Sequence, residues 1–339
     1  MLEYGDVEKK GCFMTSRMKI SLVIPCYNEE KNVRIMLETC RQRFENLDTD
    51  IEYLFINDGS KDRTFEELKK LIADYASEQI KVINFSRNFG KEAAMYAGLQ
   101  QASGDYTAII DADLQQDPKY IVEMFTFLEN NPDYDTVACY QSKRRESALI
   151  TFFKKIFYWV MNAISETEFV ENASDFRMMR KEVVAAILTL KEYHRFSKGL
   201  FTWVGFNTYY RPYEVKERQE GATSWSFGKL VSYAIQGFVG FSTAPLKIAS
   251  LLGSFISIAS FLYLIYLVFD RIFFGNDVPG FTTLASLILF SSGIQMVLIG
   301  ILGEYIGHTF LQVKQRPIYV VKDLLESNGS NTRAHNDKP

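Results

Sequence analysis

Two long uncharged runs limit what this chain can fold into. Residues 248–269 (IASLLGSFISIASFLYLIYLVF) and 281–303 (FTTLASLILFSSGIQMVLIGILG) contain no Asp, Glu, Lys or Arg. As a helix, each run is long enough to cross the roughly 30 Å hydrocarbon core of a bilayer. A buried helix of a soluble core is the alternative, but two such runs close together favour transmembrane helices. We therefore expect a membrane protein with a large polar domain ahead of two spans.

The charges beside these runs predict their orientation. The connection at 270–280 carries one Arg and two Asp, whereas basic residues lie on the other side of each run, at Lys229, Lys247, Lys314, Arg316 and Lys322. By the positive-inside rule, the polar domain and both termini should be cytoplasmic. Residues 1–18 lack the apolar segment of a cleavable signal peptide, and we expect them to be a disordered leader. The expected location is the inner (cytoplasmic) membrane.

Composition narrows the possible partners. With 38 basic and 41 acidic residues and a net charge of -3, the chain gives no reason to expect nucleic acid as a partner. Its four cysteines show neither metal-like spacing nor a disulfide framework, which fits a reducing compartment. At 339 residues it can bury a large core and is long enough for two domains.

The polar domain begins with a repeated strand, turn and helix pattern. Apolar strands are expected at KISLVIP, IEYLFIN, KVINFS and YTAIID, and the first three are each followed by a polar turn and a segment with helical spacing. This βαβ pattern predicts an α/β domain with a mainly parallel sheet. In such sheets, ligands bind beyond the carboxyl ends of the strands.

Polar residues follow all four predicted strands, at 27–29, 57–60, 87–91 and 111–113. Any one of them is explained by a solvated loop, but four in succession favour a ligand site. The chain has no Gly-rich phosphate loop of the dinucleotide or Walker type, so backbone amides are not expected to be the main phosphate ligands. A metal ion held by Asp113 could take that role, since Mg²⁺ typically uses one or two carboxylates together with ligand phosphates.

The stretch IIDADLQQDP at 109–118 is informative because it concentrates acids at a strand end. Asp111, Asp113 and Asp117 would repel one another unless a cation or several donors lay among them. Taken alone, a DxD pattern is more often a solvated turn, with Asp117-Pro118 ending the strand. The rest of the chain has to decide between a bound cation and a solvated turn.

Several motifs resemble those of a known family. PCYNEE, NDGSKDRT, RNFGKEAAMYAGLQQASGDY and DADLQQDP are similar to the inverting glycosyltransferases of family 2, and in particular to the polyisoprenyl-phosphate glycosyltransferases. The resemblance continues through ASDFRMM, RFSKGLFTWVGF and RQEGATSW into two spans that end in LGEYIGHTFLQVKQRPIYVV. It covers residues 19–322.

The resemblance implies a GT-A type domain that binds a nucleotide-sugar donor, with a UDP-linked sugar expected. It assigns the nucleobase and ribose to Pro25, Tyr27, Glu29 and Asp58, with Asp58 at the uracil edge. It places Asp111 beside the ribose or the metal, and it implies that Asp113 and Gln115 hold Mg²⁺ or Mn²⁺ against the diphosphate. Lys91 joins the nucleotide-binding residues. Asp117 is then expected to be a helix cap before Pro118.

Three positions depart from the family pattern. Asn57 stands where a first Asp is common, and DLQQDP has one more Gln than the frequent DLQDP. After Gly221, the chain reads Thr223-Ser224-Trp225, so Ser224 replaces the usual Lys. Thr223 can still donate to a phosphate, and Lys229 is the expected substitute for the missing cation.

The acceptor side is expected to bind a polyprenyl phosphate of the undecaprenyl type at the membrane surface. Residues 143–165 combine basic groups, including Arg144 and Arg145, with large apolar side chains, which suits a helix in the membrane interface. An amphipathic core helix remains the alternative. A second interfacial helix is expected near 226–243. Arg195, Arg218 and Lys229 are further candidates for the lipid phosphate, although each could be paired on the surface.

Asp175, in the SDFR motif, is the candidate catalytic residue. A polyprenyl phosphate is mostly dianionic at neutral pH, because its second pKa is about 6, so little proton removal is needed. We therefore expect Asp175 to orient the acceptor or stabilise charge on the sugar as much as to act as a base. A helix N-cap before Arg177 is the alternative.

These expectations define a domain plan. Residues 19–243 form a cytoplasmic glycosyltransferase domain, 244–306 hold two transmembrane helices, and 307–339 form a cytoplasmic tail. The predicted activity is inverting sugar transfer to polyprenyl phosphate. Two alternatives are a processive polysaccharide synthase, whose Gln-x-x-Arg-Trp motif is missing, and a non-catalytic nucleotide-binding scaffold. The small residues Gly293, Gly300, Gly303 and Gly307 would permit close helix packing in a homo-oligomer.

The orientation can be tested by cysteine labelling from outside intact cells. A membrane-impermeant maleimide should label Asn276→Cys, because residues 270–280 are expected to face out. Lys322→Cys and Glu146→Cys should remain unlabelled until the membrane is permeabilised. External labelling of Lys322→Cys would contradict the two-span topology.

Overall fold

The structure is a computed structural model, and it describes residues 17–141, 173–214, 242–274 and 280–327. The chain divides into two compact units. The first contains residues 1–137, 176–185 and 321–339, and the second contains residues 138–175 and 186–320.

Eight strands and eight helices are described in these ranges. The strands are β1 (Lys19–Cys26), β2 (Asp50–Asn57), β3 (Gln79–Phe85), β4 (Tyr106–Ile109), β5 (Thr136–Gln141), β6 (Ala173–Arg180), β7 (Thr208–Tyr213) and β8 (Val321–Glu326). The helices are α1 (Val33–Phe44), α2 (Thr64–Asp74), α3 (Lys91–Gln101), α4 (Lys119–Asn130), α5 (Lys181–Thr189), α6 (Ser197–Trp203), α7 (Ala244–Phe274) and α8 (Phe281–Val313).

The strands form one sheet in the order β7-β5-β6-β4-β1-β2-β3-β8. The central pairs are parallel: β1 with β2, β1 with β4, and β2 with β3. β6 pairs with β4 and β8 with β3, both antiparallel. The mainly parallel α/β domain expected from the sequence is therefore confirmed.

The central strands are buried because helices of the first unit cover the sheet. β1 and β2 are nearly continuous apolar runs, and Leu22, Val23, Leu54 and Phe55 are fully buried. Such runs are typical of parallel strands that are covered on both faces. Gly98 of α3 lets that helix approach the sheet, since a Cβ there would lie 2.3 Å from a methyl carbon of Val23.

The two expected spans are helices, and both are longer than the uncharged runs. Within α7 and α8, the segments Ala244–Asp270 and Ser286–Val313 are long and apolar enough to cross a membrane. Their large apolar side chains are exposed, as Leu251 and Phe290 illustrate. Exposed apolar faces on long helices fit contact with lipid better than packing in a soluble core.

Three local features differ from the sequence expectations. β1 extends one residue beyond the expected KISLVIP, to Cys26, and Pro25 lies within the strand, opposite Ile56. Asp175 lies on strand β6, so the alternative of a helix cap is wrong. The segment after the spans includes β8, whose antiparallel pairing with β3 could not be inferred from VKDLLE alone.

Candidate active site

Four loops of the first unit leave the sheet at the carboxyl ends of β1, β2, β3 and β4. Because these strands are parallel, the loops begin at the same edge of the sheet. The predicted nucleotide and metal residues lie at the ends of these strands or on the segments that follow them: Pro25, Tyr27, Glu29, Asp58, Lys91, Asp111, Asp113 and Gln115.

Asp58, at the end of β2, connects two of these loops. It is only 3% exposed, and its two carboxylate oxygens accept hydrogen bonds from the backbone N–H groups of Phe89 (2.7 Å) and Gly90 (2.9 Å). Burial raises the pKa of Asp58, and these two N–H groups oppose that shift. Asp58 therefore holds the β3–α3 loop in place. The sequence predicted a contact between Asp58 and the uracil edge but not this structural role.

Gly59 permits this close approach. Its φ is +60°, and a Cβ there would lie 2.3 Å from the carbonyl carbon of Arg87 and 2.5 Å from the backbone N of Asn88. Both the left-handed conformation and the backbone contact exclude a side chain. The pair Asp58-Gly59 thus fixes how the second and third loops meet.

The β1–α1 loop presents Tyr27 to solvent. The next residue, Asn28, is left-handed with φ +58°, a conformation that Asn tolerates better than most residues. Its backbone N donates to Ser60 Oγ at 3.0 Å, and its Oδ1 accepts from the backbone N of Lys61 at 2.8 Å. The backbone N of Glu29 donates to Thr64 Oγ1 at 2.8 Å. The loop that carries Tyr27 and Glu29 is therefore fixed by residues of the β2–α2 segment.

Asp111, just beyond β4, lies beside the positively charged side chain of Lys91. Lys91 Nζ lies 2.6 Å from Asp111 Oδ1, and Gln116 Nε2 donates to Asp111 Oδ2 at 3.1 Å. The backbone N of Asp111 donates to Gln116 Oε1 at 3.0 Å. Sequence reasoning did not include Gln116 in the site, although the additional Gln in DLQQDP was a usable signal.

Asp113 and Gln115 lie on the tight turn after Asp111. The backbone N of Gln115 donates to Asp113 Oδ1 at 3.1 Å, and Leu114 between them has φ +62°. Two carboxylates and an amide oxygen are hard oxygen donors of the kind that Mg²⁺ and Mn²⁺ bind, and Lys91 shows that positive charge is accommodated beside Asp111. Among the described residues no group of three or more His, Cys, Asp or Glu could hold a metal by itself. A cation held by Asp113 and Gln115 would need further ligands, such as phosphate oxygens and water.

Asp117 has a different role from the other two acids. It is 5% exposed, its carboxylate contacts Arg43 Nε at 3.2 Å, and it accepts a hydrogen bond from the backbone N of Lys119 at 3.0 Å. The sequence placed the helix cap at Asp117, but Pro118 is the N-cap of α4 in the structure; Asp117 still stabilises the start of the helix through the backbone N of Lys119.

Only some of the residues predicted to bind the acceptor lie in the part of the chain that the structure describes. Asp175 is half-buried in β6, and Arg195 is buried, with Nη1 donating to the carbonyl oxygen of Leu190 at 2.5 Å. The other expected residues and both expected interfacial helices lie outside the described ranges; the residues are Arg144, Arg145, Arg218, Thr223 and Lys229.

Comparison with known proteins identifies the class. The family described as "Glycosyl transferase family 2" matches residues 21–188, and "GtrB C-terminal hairpin" matches residues 244–309. The chain belongs to glycosyltransferase family 2 and carries a GtrB-type C-terminal hairpin, which confirms the resemblance inferred from its motifs.

Individual relatives cover most of the chain. An uncharacterized glycosyltransferase of Synechocystis is 41% identical, and the alignment covers 91% of this chain and 96% of the Synechocystis protein. A bactoprenol glucosyl transferase of Shigella phage SfII is 38% identical, covering 90% and 98% respectively. Among solved structures, a mannosyltransferase from Pyrobaculum calidifontis matches with a TM-score of 0.47 and 14% identity over 89% of each chain.

The contact around Gly59 leads to a stability prediction. Gly59→Ala should lower the free energy of unfolding by at least about 1–3 kcal/mol, because it combines left-handed strain with a backbone clash. Thermal unfolding of the purified full chain measures the effect. Gly205→Ala is the matched control, since Gly205 has φ +74° but open space around its Cβ position. Equal losses in the two variants would show that the clash with Arg87 contributes nothing.

Proposed function

We propose that this protein transfers a sugar from a nucleotide diphosphate donor, a UDP-hexose or UDP-N-acetylhexosamine, to polyprenyl phosphate with inversion at the anomeric carbon. The product would be a polyprenyl-phosphate-linked sugar for cell-envelope glycans. The observation that carries the proposal is the acidic carboxyl edge of the sheet, with Asp111 and Asp113, in a chain that also has a GtrB-type hairpin. Relatives named bactoprenol glucosyl transferase support the lipid acceptor.

On the donor side, the chain supplies a fixed binding edge. Tyr27 is exposed where a nucleobase can stack on its ring, and the Asp58 contacts hold the loop that leads to Lys91. Lys91 provides a flexible cation beside Asp111 for the donor phosphates. Asp113 and Gln115 would hold Mg²⁺ or Mn²⁺, which when bound would neutralise charge on the departing diphosphate.

On the acceptor side, the lipid phosphate is itself the nucleophile. Because a phosphate monoester is mostly dianionic at neutral pH, its oxygen can attack the anomeric carbon with little need for a base. Asp175 would orient this phosphate or stabilise positive charge that develops on the sugar. The basic residues of the expected interfacial helices would bind the phosphate and the membrane surface, whereas Arg195, which is buried, would act on the phosphate only.

Cytoplasmic placement of the catalytic domain matches both substrates. Soluble nucleotide sugars would reach it from the cytoplasm, and the lipid phosphate from the inner leaflet. The apolar helices α7 and α8 would hold the enzyme in the inner membrane by two spans.

The direct test is a transfer assay with the purified full chain. Undecaprenyl phosphate, Mg²⁺ and a panel of radiolabelled UDP-sugars are supplied, and label is counted in the organic extract. The proposal expects an extractable product with one sugar per lipid and inverted anomeric configuration. Long polysaccharide would indicate a processive synthase, and binding of nucleotide without transfer would indicate a scaffold.

The different roles proposed for Asp113 and Asp117 lead to the next prediction. Asp113→Ala should lower transfer by at least about 10²-fold and weaken metal-dependent UDP binding, since it removes a metal ligand. Asp117→Ala should retain most activity while lowering the melting temperature, because Asp117 contacts Arg43 and Lys119. Transfer rates and thermal unfolding are measured on both variants. Equal loss of activity would mean that the acids are ranked wrongly.

Asp175→Asn separates binding from chemistry. The substitution keeps the size and some hydrogen bonding of the side chain but removes its charge. We expect turnover to fall by at least about 10²-fold, with UDP affinity nearly unchanged, because the charge would act mainly in the transition state. Turnover is measured at saturating polyprenyl phosphate and neutral pH. Near-normal turnover would exclude a catalytic role for Asp175.

A further inference from the structure

A continuous line of hydrogen bonds runs from the last strand, β8, to the loop after the first. Asn84 Nδ2 donates to Asp323 Oδ2, and Asn57 Nδ2 donates to Asn84 Oδ1, both at 2.8 Å. Ser60 Oγ donates to Asn57 Oδ1 at 2.5 Å, and the backbone N of Asn28 donates to Ser60 Oγ at 3.0 Å. The side chains of Asp323, Asn84, Asn57 and Ser60 are called the polar network below.

The middle of the polar network is shielded from water. Asn57 is 2% exposed and Asn84 is 6% exposed, so their amide groups must find partners inside the protein. Hydrogen bonds in such surroundings are stronger than in water, and a buried amide that loses its partner is unfavourable. The conformations of these side chains are therefore closely linked.

A single charge sets the direction of the whole network. The ionised carboxylate of Asp323 can only accept, so Asn84 must turn its NH₂ group towards β8 and its carbonyl oxygen towards Asn57. Asn57 must then present its own NH₂ group to Asn84 and its carbonyl oxygen to Ser60. The backbone N of Ser60, 3.4 Å from Asn57 Oδ1, favours the same orientation.

The far end of the network reaches the proposed donor site. Ser60 Oγ accepts the backbone N–H of Asn28, the left-handed residue between Tyr27 and Glu29. If Asn57 no longer accepts the Ser60 hydroxyl proton, Ser60 can rotate away and Asn28 loses one of the two bonds that hold its conformation. The loop that presents Tyr27 would then be less well ordered.

We propose that Asp323 and Asn84 are positioning residues for donor binding: through Asn57 and Ser60, they fix the β1–α1 loop against which the nucleotide binds. This inference rests on the proposed function. It explains why Asn, where a first Asp is common in this family, suits position 57. A carboxylate there would compete with Asp323 for the one NH₂ group of Asn84.

The test moves the carboxylate from one end of the network to the other. Asn57→Asp puts carboxylates on both sides of Asn84 with almost no change in shape. Because Asn84 keeps its NH₂ group on Asp323, its carbonyl oxygen repels the carboxylate introduced at position 57, which must turn and no longer holds the Ser60 hydroxyl in place. Asp323→Asn alone keeps an oxygen that can accept from Asn84. In the double variant Asn57→Asp/Asp323→Asn, Asn84 can turn over, accept from the amide introduced at position 323 and donate to the carboxylate introduced at position 57. That carboxylate still accepts from Ser60.

Affinity for UDP with Mn²⁺ is measured by calorimetry on the full chain in detergent. We expect Asn57→Asp to raise Kd at least about tenfold, and both Asp323→Asn and the double variant to stay within about threefold of wild type. Glu326→Ala is the matched control, because Glu326 contacts Lys81 of β3 at 3.9 Å but lies outside the polar network; its Kd should not change.

Recovery in the double variant supports the inference, because the added negative charge at position 57 is still present there. A double variant as weak as Asn57→Asp overturns it, and so does a Glu326→Ala variant that is equally weak. Thermal unfolding is recorded alongside, and a lower melting temperature with unchanged Kd in Asn57→Asp would reduce the network to a structural role. A wild-type chain that binds no UDP would instead overturn the proposed function and the inference together.

Discussion

The proposed donor edge of this protein depends on one buried carboxylate, that of Asp58. Asp58 directly follows strand β2, and its two oxygens accept hydrogen bonds from consecutive backbone N–H groups of the loop after β3. A buried charge is tolerated only when it is well hydrogen-bonded, so the loop stabilises Asp58 as much as Asp58 orders the loop. The adjacent Gly59 makes the contact sterically possible. The position of Lys91 next to Asp111 follows from this arrangement, since Lys91 directly follows the ordered loop.

At this edge, hydrogen bonds hold the backbone of the loops, whereas several side chains are exposed. The network that ends at Asn28, the Asp58 contacts and the Asp117 interactions all engage main-chain groups of loops or of a helix start. Exposed or half-exposed groups such as Tyr27 and Lys91 remain at the surface for a ligand. A donor would therefore meet a site whose backbone needs little rearrangement, which reduces the entropy lost on binding. The acids of DADLQQDP also differ from one another. Asp117 is buried and contacts Arg43 and Lys119, whereas Asp111 and Asp113 are half-buried.

The sequence predicted this fold well where hydrophobic patterns are local. The βαβ repeat, the parallel sheet and the two apolar helices followed from periodicity and uncharged length, and the motifs identified the family. It could not predict β8, because VKDLLE has no distinctive pattern and its pairing with β3 depends on contacts across more than half of the chain. For the same reason, Asp323 was missed as a partner of Asn84. Gln116 was missed as a partner of Asp111 although the two are only five residues apart, because their hydrogen bonds depend on the turn between them. Asp58 was identified as a site residue, but its backbone partners become visible only when the third loop is placed beside it.

The central claim is that Asp58 orders the donor edge before any ligand binds. Hydrogen–deuterium exchange, followed by mass spectrometry on peptides that cover Phe89 and Gly90, tests it in the ligand-free full chain. The account predicts that these two amides exchange slowly in the wild type, and at least about tenfold faster in Asp58→Ala, where their acceptor is removed. Exchange of both amides at the rate of an unstructured chain in the wild-type protein would contradict it.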